Sequence, residues 1–213
     1  MRTIIVMGKG RSGTSLVANI LYNLGVNMGD EMKETMSINP KGFFENLEIL
    51  NLTRHIMMDA KCAETLNNLD TEKAEKRVLA FRNKYDKIIK KVVRNNESEL
   101  WGWKDERSCF AIKLFLPHLT NPHFIIVHRN MYSIARSLEN IDNLPITDGL
   151  LSAISFYKKI FEFLKEVDYP RMHISYEELF TNGDKVVQDL CDFIGIKRKK
   201  IEGVIDKDLR HFI

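Results

Sequence analysis

Two hydrophobic patterns alternate along the chain. Thr3 to Met7 (TIIVM), Leu100 to Trp103 (LWGW), His123 to Val127 (HFIIV) and Arg171 to Ser175 (RMHIS) are short runs rich in β-branched or aromatic residues, which predict strands. Between them apolar residues recur at three- and four-residue spacing, the period of a helix. Leu16, Val17, Ile20, Leu21 and Leu24 predict a first helix, with Gly25 where a C-terminal cap belongs. Glu45 to Met58 predicts a second, with Leu47, Leu50, Ile56 and Met57 among its apolar positions. Asp70 or Thr71 is placed to cap a long third helix running to about Arg94, with Val78, Phe81, Tyr85, Ile88, Ile89 and Val92 on one face. Ala111 to Leu119 predicts a short helix stopped near Pro117 and Pro122. Tyr132 to Glu139, Gly149 to Val167, and one or two helices within Tyr176 to Phe193 complete the series. Residues 26 to 42 have no clean period and end in Asn-Pro-Lys-Gly, a turn signal. Strands separated by helices predict an α/β fold, with a central, mainly parallel sheet covered on both faces.

Composition changes this picture little. At 213 residues the chain suits one domain over residues 1–213, and 44% hydrophobic with 29% charged residues is ordinary for a globular protein. A net charge of +3 fits an anionic small ligand better than a nucleic-acid groove, and no nucleic-acid partner is expected. Cys62, Cys109 and Cys191 are odd in number, widely spaced and without a CxxC pair, which argues against a disulfide framework or a zinc site and favours a reducing compartment. Only Met1 and Arg2 precede the first strand, so no signal peptide is expected, and no run approaches the length of a membrane span. These readings predict a soluble, cytoplasmic protein. Oligomeric state is not legible.

The candidate chemistry begins between the first strand and the first helix. Gly8, Gly10 and Gly13 punctuate GKGRSGTS. Such a loop turns backbone N–H groups inward, at the positive end of the following helix, and so forms an anion cradle. The loop departs from the nucleoside-triphosphate signature GxxxxGK(S/T), because Thr14 stands where that motif needs lysine. Arg11, with Lys9 as a second cation, supplies the charge from inside the loop, and Ser12, Thr14 and Ser15 offer hydroxyl donors.

Two further charged clusters follow predicted strands: Lys104-Asp105-Glu106-Arg107, and Arg129 with Ser137 eight residues on. If Arg129 ends a strand and Ser137 lies in the next helix, both can turn toward one anion. Two separated anion sites imply a ligand with phosphate groups at two places. The crevice at the carboxyl ends of the strands is the place for it.

These residues together resemble the sulfotransferases that use 3′-phosphoadenosine 5′-phosphosulfate (PAPS), in particular the soluble bacterial-type members. Arg11-Ser12-Gly13-Thr14-Ser15 is similar to the family's 5′-phosphosulfate loop, and Arg129 with Ser137 to its 3′-phosphate motif. WGWKDER resembles the WGWKDPR stretch, with Glu106 in place of the usual proline; NPKGFFE at 39–45 and SYEEL at 175–179 resemble two further segments. The matches run in family order across nearly the whole chain. The resemblance implies a P-loop-type three-layer domain related to nucleotide kinases, with PAPS as co-substrate and no metal requirement. It implies that Arg11 contacts the sulfuryl group and the departing phosphate. By the same resemblance Gly10, Ser12, Gly13, Thr14 and Ser15 would hold the 5′-phosphate, Arg129 and Ser137 would hold the 3′-phosphate, and Tyr176 would pack near the adenine. Leu16 stands where cytosolic members carry an adenine-stacking tryptophan, and their C-terminal basic-glycine loop is not recognisable, with Lys197 to Lys200 (KRKK) as its only stand-in.

Attack by a hydroxyl or amine needs a base within reach. Glu45, at the predicted helix start, is the leading candidate, with Glu48 and His55 as rivals; Lys104 and Arg107 are candidate contacts to the sulfuryl group or the acceptor. The acceptor, a small molecule or a carbohydrate, has no readable code, and its selection is expected near residues 26–45 and 140–150. Two other classes compete: a nucleotide or small-molecule kinase with a degenerate phosphate loop, and a nucleotide-binding module that catalyses nothing.

Overall fold

A computed structural model of the chain describes residues 1–29, 42–62, 66–68, 70–199, 201 and 203–205. The turn expected at residues 39–42, and with it most of the acceptor-side segment, falls largely outside the described residues. Four strands form the sheet: β1 (Arg2–Met7), β2 (Leu100–Lys104), β3 (Pro122–His128) and β4 (Arg171–Ser175). Their order is β2-β1-β3-β4 and every neighbouring pair is parallel, with Thr3 beside Trp101 and Ile5 beside Phe124. The chain leaves β1 for a strand on one side, then crosses to the other side for β3. The carboxyl end of β1 is therefore the point where strand order reverses, the place where open α/β sheets bind ligands.

Alternation along the strands divides the core in two. Ile5, Met7, Trp101, Trp103, Phe124 and Ile126 face one layer; Ile4, Val6, Ile125, Val127 and Ile174 face the other. On the second face lie α1 (Thr14–Leu24), α8 (Glu178–Thr181) and α9 (Gly183–Ile194). The first face is covered by α2 (Leu47–Asp59), α3 (Thr71–Ala80), α4 (Arg82–Asn96), α5 (Ser108–Phe115), α6 (Met131–Asp142) and α7 (Ile146–Glu166). A 3-10 turn, Leu66–Asn68, lies against α7. With both faces covered, the strands read as near-continuous apolar runs, as parallel sheets require.

The structure departs from the sequence expectations in three places. The long third helix is two helices, because Phe81 leaves helical geometry (φ −90°, ψ 8°) and closes α3 with a tighter turn to the Val78 carbonyl. The break lets Ala74 and Val78 meet α5 and α7 while Tyr85, Ile89, Val92 and Val93 pack from a separate helix; Ile88, expected inside, is 44% exposed. Second, α2 begins at Leu47, where the Asn46 side chain accepts a hydrogen bond from the Ile49 N–H at 3.1 Å; Glu45 precedes the helix instead of starting it. Third, α5 and α7 start at Ser108 and Ile146, each three residues before the expected Ala111 and Gly149.

Candidate active site

The loop after β1 owes its shape to residues in the left-handed region. Gly13, which caps α1, has φ +93°, and a Cβ there would run into the ring of Tyr176. Arg11 takes φ +74°, a conformation that costs a non-glycine residue about 1–3 kcal/mol and persists only where its surroundings impose it. No side chain caps the start of α1, and no acidic residue lies in its first turn. The amides of Thr14 and Ser15 therefore stand at an uncompensated positive helix end, the arrangement that receives an anion.

Two arginines converge on this loop. Arg129 donates through one terminal nitrogen to the Arg11 carbonyl oxygen at 2.8 Å, and its guanidinium lies over the Tyr176 ring, 4.4 Å from the centroid. Arg11 donates from Nε to the hydroxyl oxygen of Ser137 at 2.9 Å. Asn130 positions this set: its side chain caps α6 by accepting from the Ser133 N–H, which fixes the helix that carries Ser137. Burial pushes both guanidinium groups below their ordinary values; for Arg11 the carboxylates of Asp142 and Glu106 oppose it, and for Arg129 that of Glu177 does. Cations held out of water in this way gain from an arriving anion. Tyr176, only 6% exposed, is wedged between Gly13 and Arg129 and fixes both.

In the cluster after β2 the charges meet in direct ion pairs. Lys104 pairs with Glu45 at 2.6 Å, both buried. Arg107 reaches Asp105 at 3.0 Å, and Thr53 donates to the other oxygen of that carboxylate. Burial nevertheless pushes Asp105 up, against the pull of Arg107 and Thr53. Glu106 takes Lys9, which is 1% exposed, donates to Asn67 at 2.9 Å and sits 4.3 Å from the centre of the Phe156 ring. The same Glu106 carboxylate rests on the loop, since a Cβ at Gly10 would come within 2.5 Å of it.

The structure thus brings together Gly10, Arg11, Ser12, Gly13, Thr14, Ser15, Arg129, Ser137 and Tyr176 at one end of the sheet. Glu45, Lys104 and Arg107 are joined by ion pairs around the end of β2. Glu48 binds Asn95 and Asn96, and His55 sits exposed against the Asn51 carbonyl, so both rivals face outward from α2. Lys199 donates to the Leu24 carbonyl at the far end of α1, about 16 Å of helix from the loop, and Arg198 pairs with Asp184. Lys200 lies outside the described residues.

Sequence reasoning singled out Glu106 but missed the other partners. Asn67, Asp142, Glu106 and Glu177 surround the cations, yet come from four distant segments. Burial alone would raise Glu177, but hydrogen bonds from the Asn130 N–H and the Ser175 hydroxyl bring it below the ordinary carboxylate value. Tyr157, next to Ser12, donates to the Val127 carbonyl at 2.9 Å, and burial pushes its phenol up to about 12. The Lys9–Glu106 pair left one signal in the sequence: a glutamate where related stretches carry proline.

A sequence model of the sulfotransferase family matches residues 3–200, and the chain belongs to that family. No curated protein matches it. Among solved structures, a sulfotransferase domain from the curacin biosynthetic pathway is 17% identical, with a TM-score of 0.57 over 92% of this chain and 74% of that one. A sulfotransferase domain from the Synechococcus PCC 7002 olefin synthase is also 17% identical, with a TM-score of 0.56 over 93% and 74%. Sulfotransferase STF1 from Mycobacterium tuberculosis H37Rv is 12% identical, with a TM-score of 0.58 over 93% and 68%. At these identities the likeness is one of fold, the P-loop-type sulfotransferase fold with its all-parallel sheet between helical layers. Among the described residues no helix is long and apolar enough to cross a membrane.

Proposed function

We propose that the chain moves a sulfuryl group from PAPS to a hydroxyl or amine of a small-molecule or carbohydrate acceptor, as a single cytoplasmic domain over residues 1–213 that needs no metal ion. The observation that carries this reading is the joined pair of arginines, half-buried Arg11 and buried Arg129, at an uncapped helix start. One guanidinium suits a 5′-phosphosulfate and the other a 3′-phosphate. In the reaction a bond forms from the acceptor oxygen or nitrogen to sulfur while the bond from sulfur to the 5′-phosphate oxygen breaks, its electron pair leaving with the phosphate.

The loop amides from Gly10 to Ser15, with the Thr14 and Ser15 hydroxyls, hold the 5′ end in this proposal. Arg11 meets the charge that builds on the departing phosphate, the kind of preset electrostatic stabilisation that dominates such steps. Arg129 and Ser137 select the 3′-phosphate, with Ser137 also steering Arg11 through its hydroxyl. Tyr176 holds the floor of the nucleotide site. Glu45 takes the acceptor's proton; Lys104 orients it, and Arg107 steadies the same end of β2.

Thermal unfolding with 3′-phosphoadenosine 5′-phosphate (PAP), and separately with ATP and Mg²⁺, tests the reading. A ligand at about a hundred times its dissociation constant adds roughly 2.7 kcal/mol, a shift of about 5–10 °C at this size. A shift with PAP that Arg129→Ala cuts to about half or less supports the sulfotransferase. A shift with ATP alone would sink it in favour of a kinase. Tight PAP binding without turnover across a broad acceptor panel would leave a binding module.

A further inference from the structure

We propose that the acceptor of this reaction is a small hydroxylated amine, seated in a pocket between the turn Leu66–Asn68 and α7. The proposal rests on the sulfotransferase reading for the transfer itself, but the pocket has its own chemistry. Its volume is about 280 Å³, and its walls include Leu66, Asn67, Asp148, Ser152, Ser155 and Phe156. At roughly 30 Å³ per water-sized group, that holds a molecule of about ten non-hydrogen atoms.

Three observations fix the position and the ligand class. The pocket abuts the phosphate loop, because Asn67 and Phe156 both touch the Lys9 ammonium; Asn67 also donates to Asp142 at 3.3 Å, and Asp142 faces Arg11. Ser152 is 5% exposed, and its hydroxyl has no hydrogen-bond partner among the described residues, so a polar group of the ligand is called for there. Asp148, in the first turn of α7, is in no hydrogen bond or ion pair among the described residues and supplies the wall's free carboxylate.

A carboxylate beside the apolar walls of Leu66, Leu151 and Phe156 selects a cation carried on a small hydrocarbon frame. The same carboxylate, with Asp142 close by, repels carboxylated or already sulfated acceptors. Ser152 and Asn67 are left to orient hydroxyl groups, with Asn67 on the side of the loop.

The test uses the full chain saturated with PAP and two probes of equal size, 4-aminocyclohexanol and 4-methylcyclohexanol, which differ in charge at one position. Calorimetry is expected to show the amine bound roughly tenfold more tightly than its methyl counterpart. Asp148→Asn, an exposed position, should remove that difference while leaving the PAP-induced thermal shift intact. Ser152→Leu, which fills the pocket, should remove binding of both probes. Equal affinity for the two probes, no binding of either, or an unchanged preference in Asp148→Asn overturns the proposal while the PAP shift keeps the sulfotransferase reading. Absence of the PAP shift removes that reading, and the assignment of an acceptor with it.

Discussion

Two groups of cations meet at the end of the sheet, and they are treated in opposite ways. After β2, Lys104 and Arg107 sit on carboxylates, as does Lys9 from the loop. Beside them, Arg11 gives its Nε to a neutral hydroxyl, and Arg129 gives a terminal nitrogen to a carbonyl and its face to a ring. A cation locked to a carboxylate is spent on structure. Arg11 and Arg129 also have carboxylates nearby, Asp142 and Glu106 for the first and Glu177 for the second, yet burial still lowers both, and a cation perturbed in this way marks a functional site.

Substitutions on the two sides should therefore fail differently. Lys104→Ala leaves Glu45 buried without its cation and should cost about 3–5 kcal/mol of stability, read by denaturant unfolding. Arg11→Ala should leave unfolding almost unchanged but lower turnover about 10²–10³-fold, the loss expected from one preset donor to a developing charge. If Arg11→Ala unfolds the protein and Lys104→Ala does not, the distinction is wrong. Arg129→Ala removes charge-assisted hydrogen bonds worth about 1.5–3 kcal/mol, so PAP affinity measured by calorimetry should fall roughly 10–100-fold.

The smallest effect lies outside both groups. His128 and His173 stack 5.0 Å apart and share a hydrogen bond of 2.7 Å, and burial pushes both below the ordinary value near 6.5; a neighbouring charge adds to the push, from His173 on His128 and from Arg171 on His173. Below about pH 6.5 the unfolded chain takes up protons that the folded pair resists, so stability is complete above that pH and declines as pH falls toward the folded values. His173→Asn should flatten this decline in melting temperature between pH 7 and pH 5, with the arginines charged throughout.

The strands and the loop were legible because their causes are local. The run Arg171 to Ser175 is a strand within those same limits, and Gly13 marks a backbone conformation that few other residues adopt. Arg11, Arg129 and Ser137 were legible through spacing, since a strand end and one helical turn fix where they point. The break at Phe81 was not: apolar positions continue across it at helical spacing, and only the separate demands of α5, α7 and α2 split the helix. Nor were the ion pairs between distant segments, unlike Arg107 with Asp105 two residues before it. Lys9 meets Glu106 because β1 and β2 pair in a register that sets Val6 beside Lys104, and Asn67 arrives from a turn fifty-eight positions away. Each such pairing is a product of the assembled sheet, and no window of sequence contains it.

The pairing of Trp101 with Trp103 has a spectroscopic consequence. These are the only two tryptophans in the chain, both essentially inaccessible to water, with ring centroids 5.5 Å apart on the strand that delivers Lys104. All indole fluorescence of the protein therefore originates on β2. Its emission should be blue-shifted in the folded state, resist aqueous quenchers, and move to the red when β2 separates from β1. A fluorescence-detected melt thus reports on the strand next to the glycine-rich loop, with no substrate needed.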